Sequence, residues 1–240
     1  MNRQNQKIYK NSFSLFLKST NEKKVILDFV KKNISLGKVK NVLDIGGGNG
    51  ALALPLARLK KNVTVVEPNK QLAGKLNSRR IKYVNKTWEN YKSSKKFDLV
   101  VAAYVVTYFK KKDLPKLIDK MYELVLPGGC LIIFTIDPKR GSWRGIHTYF
   151  YQLLGIEHKS STYLLKSYLS KYKHVCSRSI KTLVKTKNIS EMLKILAFDF
   201  YQYEPNFTKY KIELEKYLKK HLVGKGVVLK MVHEVFIIKK

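Results

Sequence analysis

The chain has 240 residues, 45% of them hydrophobic, which is enough apolar sequence to bury the core of one ordinary-to-large domain. No run of about 18 apolar residues occurs, which argues against a transmembrane helix. The two cysteines, Cys130 and Cys176, support neither a disulfide framework nor a metal cluster, and a cytoplasmic location is expected. The net charge of +31 suits an anionic partner such as nucleic acid or an acidic protein, and a basic surface that serves only solvation is the competing interpretation.

Predicted helices and strands alternate along the first 138 residues. Apolar residues at helical spacing run over 8–35. Strands are predicted at 40–45, 63–67, 81–84, 97–103 and 130–136, and helices between them at 51–60, 70–77 and 114–126. This alternation predicts a mostly parallel sheet with helices on both faces.

The pattern changes after residue 138. Two aromatic helices are predicted at 142–154 and 160–172, then a strand at 175–184, helices at 189–200 and 207–222, and a strand at 227–238. We therefore predict one α/β domain with a Rossmann-like, mostly parallel seven-stranded sheet. Its parts are N-terminal helices (1–37), a cofactor-binding core (38–138), a helical cap (139–173) and the C-terminal part of the core (174–240).

The strongest signal is a glycine-rich turn between a strand and a helix, the segment 42–50 that reads VLDIGGGNG. Glycines let the backbone turn sharply against a ligand, and a turn in this place binds cofactors in Rossmann-type folds. Glu67 ends the next strand, where a carboxylate can accept both hydroxyls of a ribose. The glycine spacing also fits a dinucleotide site. Asp44 argues against that reading, because a carboxylate before the turn repels a pyrophosphate by about 1 kcal/mol or more.

These segments resemble the motifs of class I S-adenosylmethionine-dependent methyltransferases. The segment 42–50 resembles the first motif, 63–68 the second, 97–104 the fourth and 126–133 the turn and strand that follow. The resemblance implies S-adenosylmethionine as cofactor, a donor that carries an ammonium and a sulfonium and no phosphate.

The resemblance also implies roles for individual residues. Asp44 and the glycines of the turn, Gly46, Gly47, Gly48 and Gly50, would line the methionine part of the donor. Glu67 and Pro68 would lie at the ribose, and the loop 85–89, with Asn85, Thr87, Trp88 and Glu89, at the adenine. Ala103 and Tyr104, at the end of the fourth motif, complete the predicted cofactor site.

The acceptor is less clearly marked. Nucleic-acid amine methyltransferases carry an Asn/Asp-Pro-Pro-aromatic tetrad after the fourth strand, whereas residues 102–108 here read AAYVVTY. This favours a small organic acceptor, either free or on an acidic carrier, with the pocket formed by the N-terminal helices and 139–173. His147 and His158 are the candidate bases, and Tyr104 is a further candidate for acceptor contact. Lys139, Arg140 and Arg144 are candidates for holding an anionic substrate group.

Two alternatives from other functional classes stay open. The strong positive charge is consistent with an RNA or ribosome methyltransferase, although nucleic acid is not the favoured partner. A non-catalytic protein that binds S-adenosylmethionine is the second. No metal site is predicted, and the oligomeric state is not indicated.

Overall fold

The structure, a computed structural model, describes residues 3–70, 72, 76, 79–157 and 160–240, with side chains described from residue 11 onward. The helices are α1 (Arg3–Ser19), α2 (Glu22–Asn33), α3 (Ala53–Arg58), α4 (Leu114–Glu123), α5 (Ser142–Leu153), α6 (Ser161–Leu169), α7 (Ile189–Asp199), α8 (Asn206–Lys209) and α9 (Lys211–Lys219). The strands are β1 (Asn41–Ile45), β2 (Asn62–Val66), β3 (Ile81–Val84), β4 (Phe97–Ala103), β5 (Val125–Ile136), β6 (Val175–Thr186), β7 (Leu222–Val223) and β8 (Gly226–Lys239).

The strands form one sheet in the order β3-β2-β1-β4-β5-β8-β6, with the two-residue β7 paired to β8. Neighbouring strands from β3 to β5 are parallel, and β8 runs antiparallel to β5, with His233 opposite Ile136. The predicted Rossmann-like, mostly parallel sheet is confirmed. Because β1 to β4 are parallel, the loops that follow them all leave from one edge of the sheet, where such folds bind ligands.

The central strands are buried on both faces. Leu43 and Val100 point to one face, where they pack with Ile118 of α4 and Leu165 of α6. Their neighbours along the strands point to the opposite face and pack with α2 and α3 in a second cluster, which includes Val42, Leu99, Val101, Ile26, Val30 and Leu56. Near-continuous apolar sequence in the strands is therefore the direct consequence of helices on both faces.

The described residues divide into two compact units. One unit, from the described residues of 23–136, 160–180 and 233–240, contains β1 to β5 with α2, α3, α4 and α6. The other, from those of 3–22, 137–157 and 181–232, contains α1, α5, α7, α8 and α9. Both β6 and β8 contribute residues to each unit. The single-domain organisation stays a prediction.

The segment 139–173, predicted as one helical cap, is divided between these units. Helix α5 belongs to the helical unit, where Trp143 contacts Phe16 of α1. Helix α6 belongs to the sheet unit, where the Thr162 hydroxyl is 2.8 Å from that of Thr135 and 3.1 Å from the Ile136 carbonyl oxygen. Aromatic content alone did not distinguish a helix that packs on a sheet from one that packs among helices.

The clearest differences between the predicted elements and the structure lie at the start of β5 and at 207–222. Helix α4 ends at Glu123 and β5 begins at Val125 rather than at 130, because Val125 already pairs with Phe97 before a register shift. The helix predicted at 207–222 is two helices, α8 and α9, followed by β7, which turns back to pair with β8. The helix predicted at 70–77 falls largely outside the described residues.

Candidate active site

The glycine turn lies at the carboxyl end of β1 and leads into α3. Gly46 and Gly48 have positive φ angles of 67° and 53°, a conformation that glycine adopts without steric cost. A Cβ on Gly46 would collide with Val105, and one on Gly47 would lie 2.7 Å from the Asp44 carboxylate. A Cβ on Gly48 would meet no described heavy atom closer than 4.0 Å. The turn is therefore pressed against the sheet at Gly46 and Gly47 and leaves space above Gly48.

Asp44 is the most unusual acid in this region. Its side chain is buried, at 2% exposure, and its Oδ2 has no hydrogen-bond partner among the described residues. Burial, opposed by the charge of Lys23 and reinforced by that of Glu67, raises the pKa of Asp44 to about 7. A buried carboxylate oxygen without a partner is costly for the fold, and a cationic ligand would supply that partner.

A small cavity of about 30 Å³ adjoins this carboxylate. It is lined by α2, β1, the glycine turn and the end of β4, through Lys23, Ile26, Asp44, Gly46, Gly47, Ala51, Leu52 and Ala103. Lys23 and Asp44 thus present opposite charges to one space, a pairing that no sequence pattern indicates.

Glu67 closes over the turn from the end of β2. Its Oε2 accepts a hydrogen bond from the Gly48 amide at 3.1 Å, and its Oε1 accepts one from the Asn69 amide at 2.8 Å. The Asn85 amide group donates to the carbonyl oxygens of Glu67 and Pro68, at 3.1 and 2.7 Å, and the Tyr83 hydroxyl also donates to that of Glu67, at 2.9 Å. Each carboxylate oxygen retains a second lone pair, so the group can still accept ribose hydroxyls.

The predicted adenine loop follows β3. Thr87 and Glu89 are exposed, whereas Trp88 is buried, at 4% exposure. The Trp88 indole donates to the Leu117 carbonyl oxygen at 3.2 Å, and its ring stacks on Tyr91. The Trp88 side chain thus belongs to the core beneath α4, and a ligand contact at this position would come from its neighbours or the main chain.

Tyr104 follows β4 beside Ala103 and has a positive φ of 61°. Its hydroxyl lies 2.9 Å from Nδ1 of His233, a fully buried residue of β8. The Lys23 ammonium lies 5.7 Å from the centre of the Tyr104 ring. No local sequence signal singles out His233, which lies 129 residues after its partner.

His147 lies on α5, in the helical unit. Its Nε2 is 3.0 Å from Oδ2 of Asp199, and its ring packs against Trp143 and Phe200. His158 lies outside the described residues. Arg140 pairs with Asp137 at 2.7 Å, and the Arg144 guanidinium donates to the Pro138 carbonyl oxygen at 2.9 Å, so both predicted anion-binding arginines make local contacts.

Comparison with known proteins identifies the family. The sequence profile of the methyltransferase domain matches residues 2–186, more than half of the chain. The chain belongs to this methyltransferase family. The predicted assignment to class I, S-adenosylmethionine-dependent methyltransferases is thereby confirmed.

Individual relatives resemble parts or all of this methyltransferase. The ubiquinone biosynthesis O-methyltransferase of Rickettsia canadensis is 32% identical over 102 residues, which cover 40% of this chain and 42% of that enzyme. The chain spans less than half the length of the curated relatives it matches.

Two solved structures share the fold along most of the chain. The YcgJ protein of Bacillus subtilis, with a TM-score of 0.60 and 15% identity, covers 89% of this chain and 98% of its own. The plantazolicin methyltransferase BpumL in complex with S-adenosylhomocysteine, with a TM-score of 0.51 and 15% identity, covers 99% of this chain and 90% of its own. At such identities these similarities support the fold alone.

The predicted cofactor-site residues, apart from the buried Trp88 side chain, gather at the carboxyl edge of the sheet, and their roles remain predictions. Lys23, Tyr83 and His233, which no sequence motif selects, contact these residues. Asn85, the first residue of the predicted adenine loop, directly follows β3 at this edge. None of the described helices has both the length and the apolar character needed to cross a membrane.

Replacement of Gly48 tests whether the space above the turn holds the donor. We expect Gly48→Ala to weaken S-adenosylmethionine binding by roughly tenfold or more in calorimetry, because its Cβ would enter the space for the ligand. Gly128→Ala is the matched control, since Gly128 also has a positive φ, 78°, and open space around it. Both variants carry a left-handed strain of about 1–2 kcal/mol. Equal donor affinities in the two variants would contradict the placement.

Proposed function

We propose that this methyltransferase transfers the methyl group of S-adenosylmethionine to a hydroxyl of a small organic molecule. The main support for a donor site here is the buried Asp44 carboxylate beneath the glycine turn. Its Oδ2 has no hydrogen-bond partner among the described residues. Oxygen as the methylated atom is supported by the curated relatives, which are named O-methyltransferases.

The charges around the turn match the donor's methionine end. S-adenosylmethionine supplies an electrophilic methyl group on a sulfonium, and its amino-acid end carries an ammonium and a carboxylate. Asp44 would bind the ammonium, Lys23 the carboxylate, and Glu67 the ribose hydroxyls. The backbone of Gly46 to Gly48 would lie against the donor, with Thr87, Glu89 and Pro68 at its adenosine end.

Neutralising Lys23 tests its assignment to the donor carboxylate. We expect Lys23→Met to weaken S-adenosylmethionine binding by about tenfold, the loss typical of a charge-assisted hydrogen bond. Lys24→Met is the matched control, because Lys24 is the exposed neighbour on α2 and does not line the cavity. Calorimetry at pH 8 measures both variants, and equal affinities would remove Lys23 from the donor site.

Donor binding should depend on pH through Asp44. Since burial raises the pKa of Asp44 to about 7, much of the carboxyl is protonated below that pH and cannot pair with a cation. Affinity is expected to fall by up to about tenfold per pH unit below 7 and to level off above it. Calorimetry at pH 6 in two buffers of different ionisation enthalpy should show proton release on binding. A flat profile between pH 5.5 and 8.5 would contradict this prediction.

His147 of α5 is the predicted base for the acceptor. His147 with Asp199, both in the helical unit, has the geometry of a base oriented by a carboxylate, and its role as the base for the acceptor stays a prediction. Its aromatic surroundings, Trp143 and Phe200, suit an organic acceptor. His147→Gln should then lower the turnover number while leaving donor affinity unchanged.

A labelling experiment tests the proposed function. The purified protein is incubated with methyl-labelled S-adenosylmethionine and a cell extract, which is then separated into small molecules, RNA and protein. Label in the small-molecule fraction, absent with Asp44→Asn, is the expected result. Label in RNA would mean that the net charge of +31 serves a nucleic-acid substrate. Donor binding without label in any fraction would favour a non-catalytic binding protein.

A further inference from the structure

Two departures from ordinary folding rules meet at one pair of residues in the sheet unit. Tyr104 holds a left-handed backbone conformation, which is rare and strained for a bulky residue. His233 places a polar imidazole, with no exposed surface, on the apolar face of β8 beside Val235. A 2.9 Å hydrogen bond connects the strained Tyr104 to the buried polar His233. Residues that are unfavourable for folding in this way are typical of functional positions.

In the strand order of the sheet, this pair follows the glycine turn of the predicted donor site. The predicted donor residues occupy the carboxyl ends of β1 and β2, with the adenine loop after β3. Tyr104 follows β4, and His233 lies opposite Ile136 at the carboxyl end of β5. Along the edge in the order β3-β2-β1-β4-β5-β8, the pair therefore continues the line of the site past the glycine turn.

We propose that the Tyr104 hydroxyl binds the hydroxyl group of the methyl acceptor and that His233 is a positioning residue that fixes its direction. This inference rests on the proposed function and assigns Tyr104 and His233 a role in it. Burial and, to a smaller extent, the charge of Lys23 together lower the pKa of His233 to about 4, so the imidazole is neutral at physiological pH. With its own proton on Nε2, the neutral imidazole accepts a hydrogen bond from the Tyr104 hydroxyl at Nδ1, and the phenolic oxygen can accept a hydrogen bond from the substrate.

The pair orients the acceptor and does not remove its proton. The acceptor oxygen forms the new bond to the methyl carbon as the carbon–sulfur bond breaks and its electron pair passes to sulfur. The acceptor proton leaves to another base or to water, because an imidazole with a pKa near 4 is too weak a base to retain it. Tyr104 contributes by holding the oxygen in line with the methyl group.

A double-mutant cycle tests the proposal. Methyl transfer is measured with a panel of simple probes, phenol, catechol and 3,4-dihydroxybenzoate, together with their binding to the complex of the protein with S-adenosylhomocysteine. Tyr104→Phe is expected to lower kcat/KM for the acceptor, and acceptor affinity, by roughly tenfold. Affinity for S-adenosylmethionine should change less than about twofold, because this variant keeps the Tyr104 ring in the predicted cofactor site and removes only the hydroxyl. Tyr108→Phe, at an exposed tyrosine of the same segment, is the control and should match the unmodified protein.

The role of His233 is tested by comparing the activities of the two single variants with that of the double variant. His233→Leu should lose about as much activity as Tyr104→Phe, and the double variant should lose no more than either alone, since His233 acts through the hydroxyl. His233→Gln, which retains a hydrogen-bond acceptor, should restore most of the activity and remains usable if His233→Leu does not fold.

The outcomes separate this inference from the proposed function. Absence of S-adenosylmethionine binding in the unmodified protein would overturn the proposed function itself. Normal donor binding with Tyr104→Phe as active as the unmodified protein would overturn this inference alone. Additive losses in the double variant would assign His233 a structural role, and failure of every probe to bind the S-adenosylhomocysteine complex would contradict a hydroxyl acceptor at Tyr104.

Discussion

Glu67→Ala is expected to weaken the binding of S-adenosylmethionine by about a hundredfold or more. Two ribose hydroxyls would lose a charged acceptor, and hydrogen bonds to charged groups are worth about 1.5–3 kcal/mol each. The ribose is common to donor and product, so affinity for S-adenosylhomocysteine should fall by the same factor. Calorimetry with both ligands measures this.

The structural cost of this substitution must be separated from the loss of binding. Glu67 also accepts hydrogen bonds from the amides of Gly48 and Asn69, so Glu67→Ala is expected to lower the free energy of unfolding by about 1–2 kcal/mol. Glu67→Gln keeps one acceptor oxygen. Its donor affinity and its free energy of unfolding should both lie between those of the unmodified protein and those of Glu67→Ala. Glu123→Gln, at an exposed glutamate of α4, changes the net charge equally and should alter neither. Unchanged donor affinity in Glu67→Ala would remove this residue from the ribose site.

The donor side of this site is far more predictable from sequence than the acceptor side, and the reason is physical. The strand–turn–helix segment 42–50 is local, so the sequence alone places its glycines and Asp44 at one loop. Glu67 follows the next parallel strand, and parallel strands bring their carboxyl ends to one edge of the sheet. Residues of this kind are predictable because short segments and strand order decide where they lie.

The positions of the remaining site residues are decided by packing between segments that are far apart in the sequence. His233 reaches Tyr104 only because β8 is inserted antiparallel beside β5, a register that no short motif specifies. Lys23 lines the cavity at Asp44 because α2 packs on that face of the sheet. The position of Trp88 in its loop predicts contact with the adenine. Its indole instead lies in the core, where it donates a hydrogen bond to the Leu117 carbonyl oxygen. The direction of a side chain is decided by such contacts and not by its place in the chain.

Asp44→Asn should have opposite effects on donor binding and on stability. The ordinary pKa of this carboxyl is 3.8, and burial raises the pKa of Asp44 to about 7, so its ionised form is costly in the folded protein. That cost is absent below about pH 4, grows as the pH rises toward 7, and is fully present above it. An uncharged Asn of the same shape removes the cost, and the variant is expected to be more stable by a few kcal/mol at pH 8 and by much less at pH 5.

The same substitution should weaken S-adenosylmethionine binding at pH 8 by about a hundredfold, since a buried ion pair with the donor ammonium is lost. The loss should be larger for S-adenosylmethionine than for S-adenosylhomocysteine, because only the donor carries the sulfonium charge. The rise of affinity with pH should disappear. Thermal unfolding at pH 5 and 8 and calorimetry with both ligands measure these effects on one preparation, and a more stable protein with weaker binding cannot be explained by misfolding. If both Asp44→Asn and Glu67→Ala bind the donor as tightly as the unmodified protein, the donor does not bind at the glycine turn.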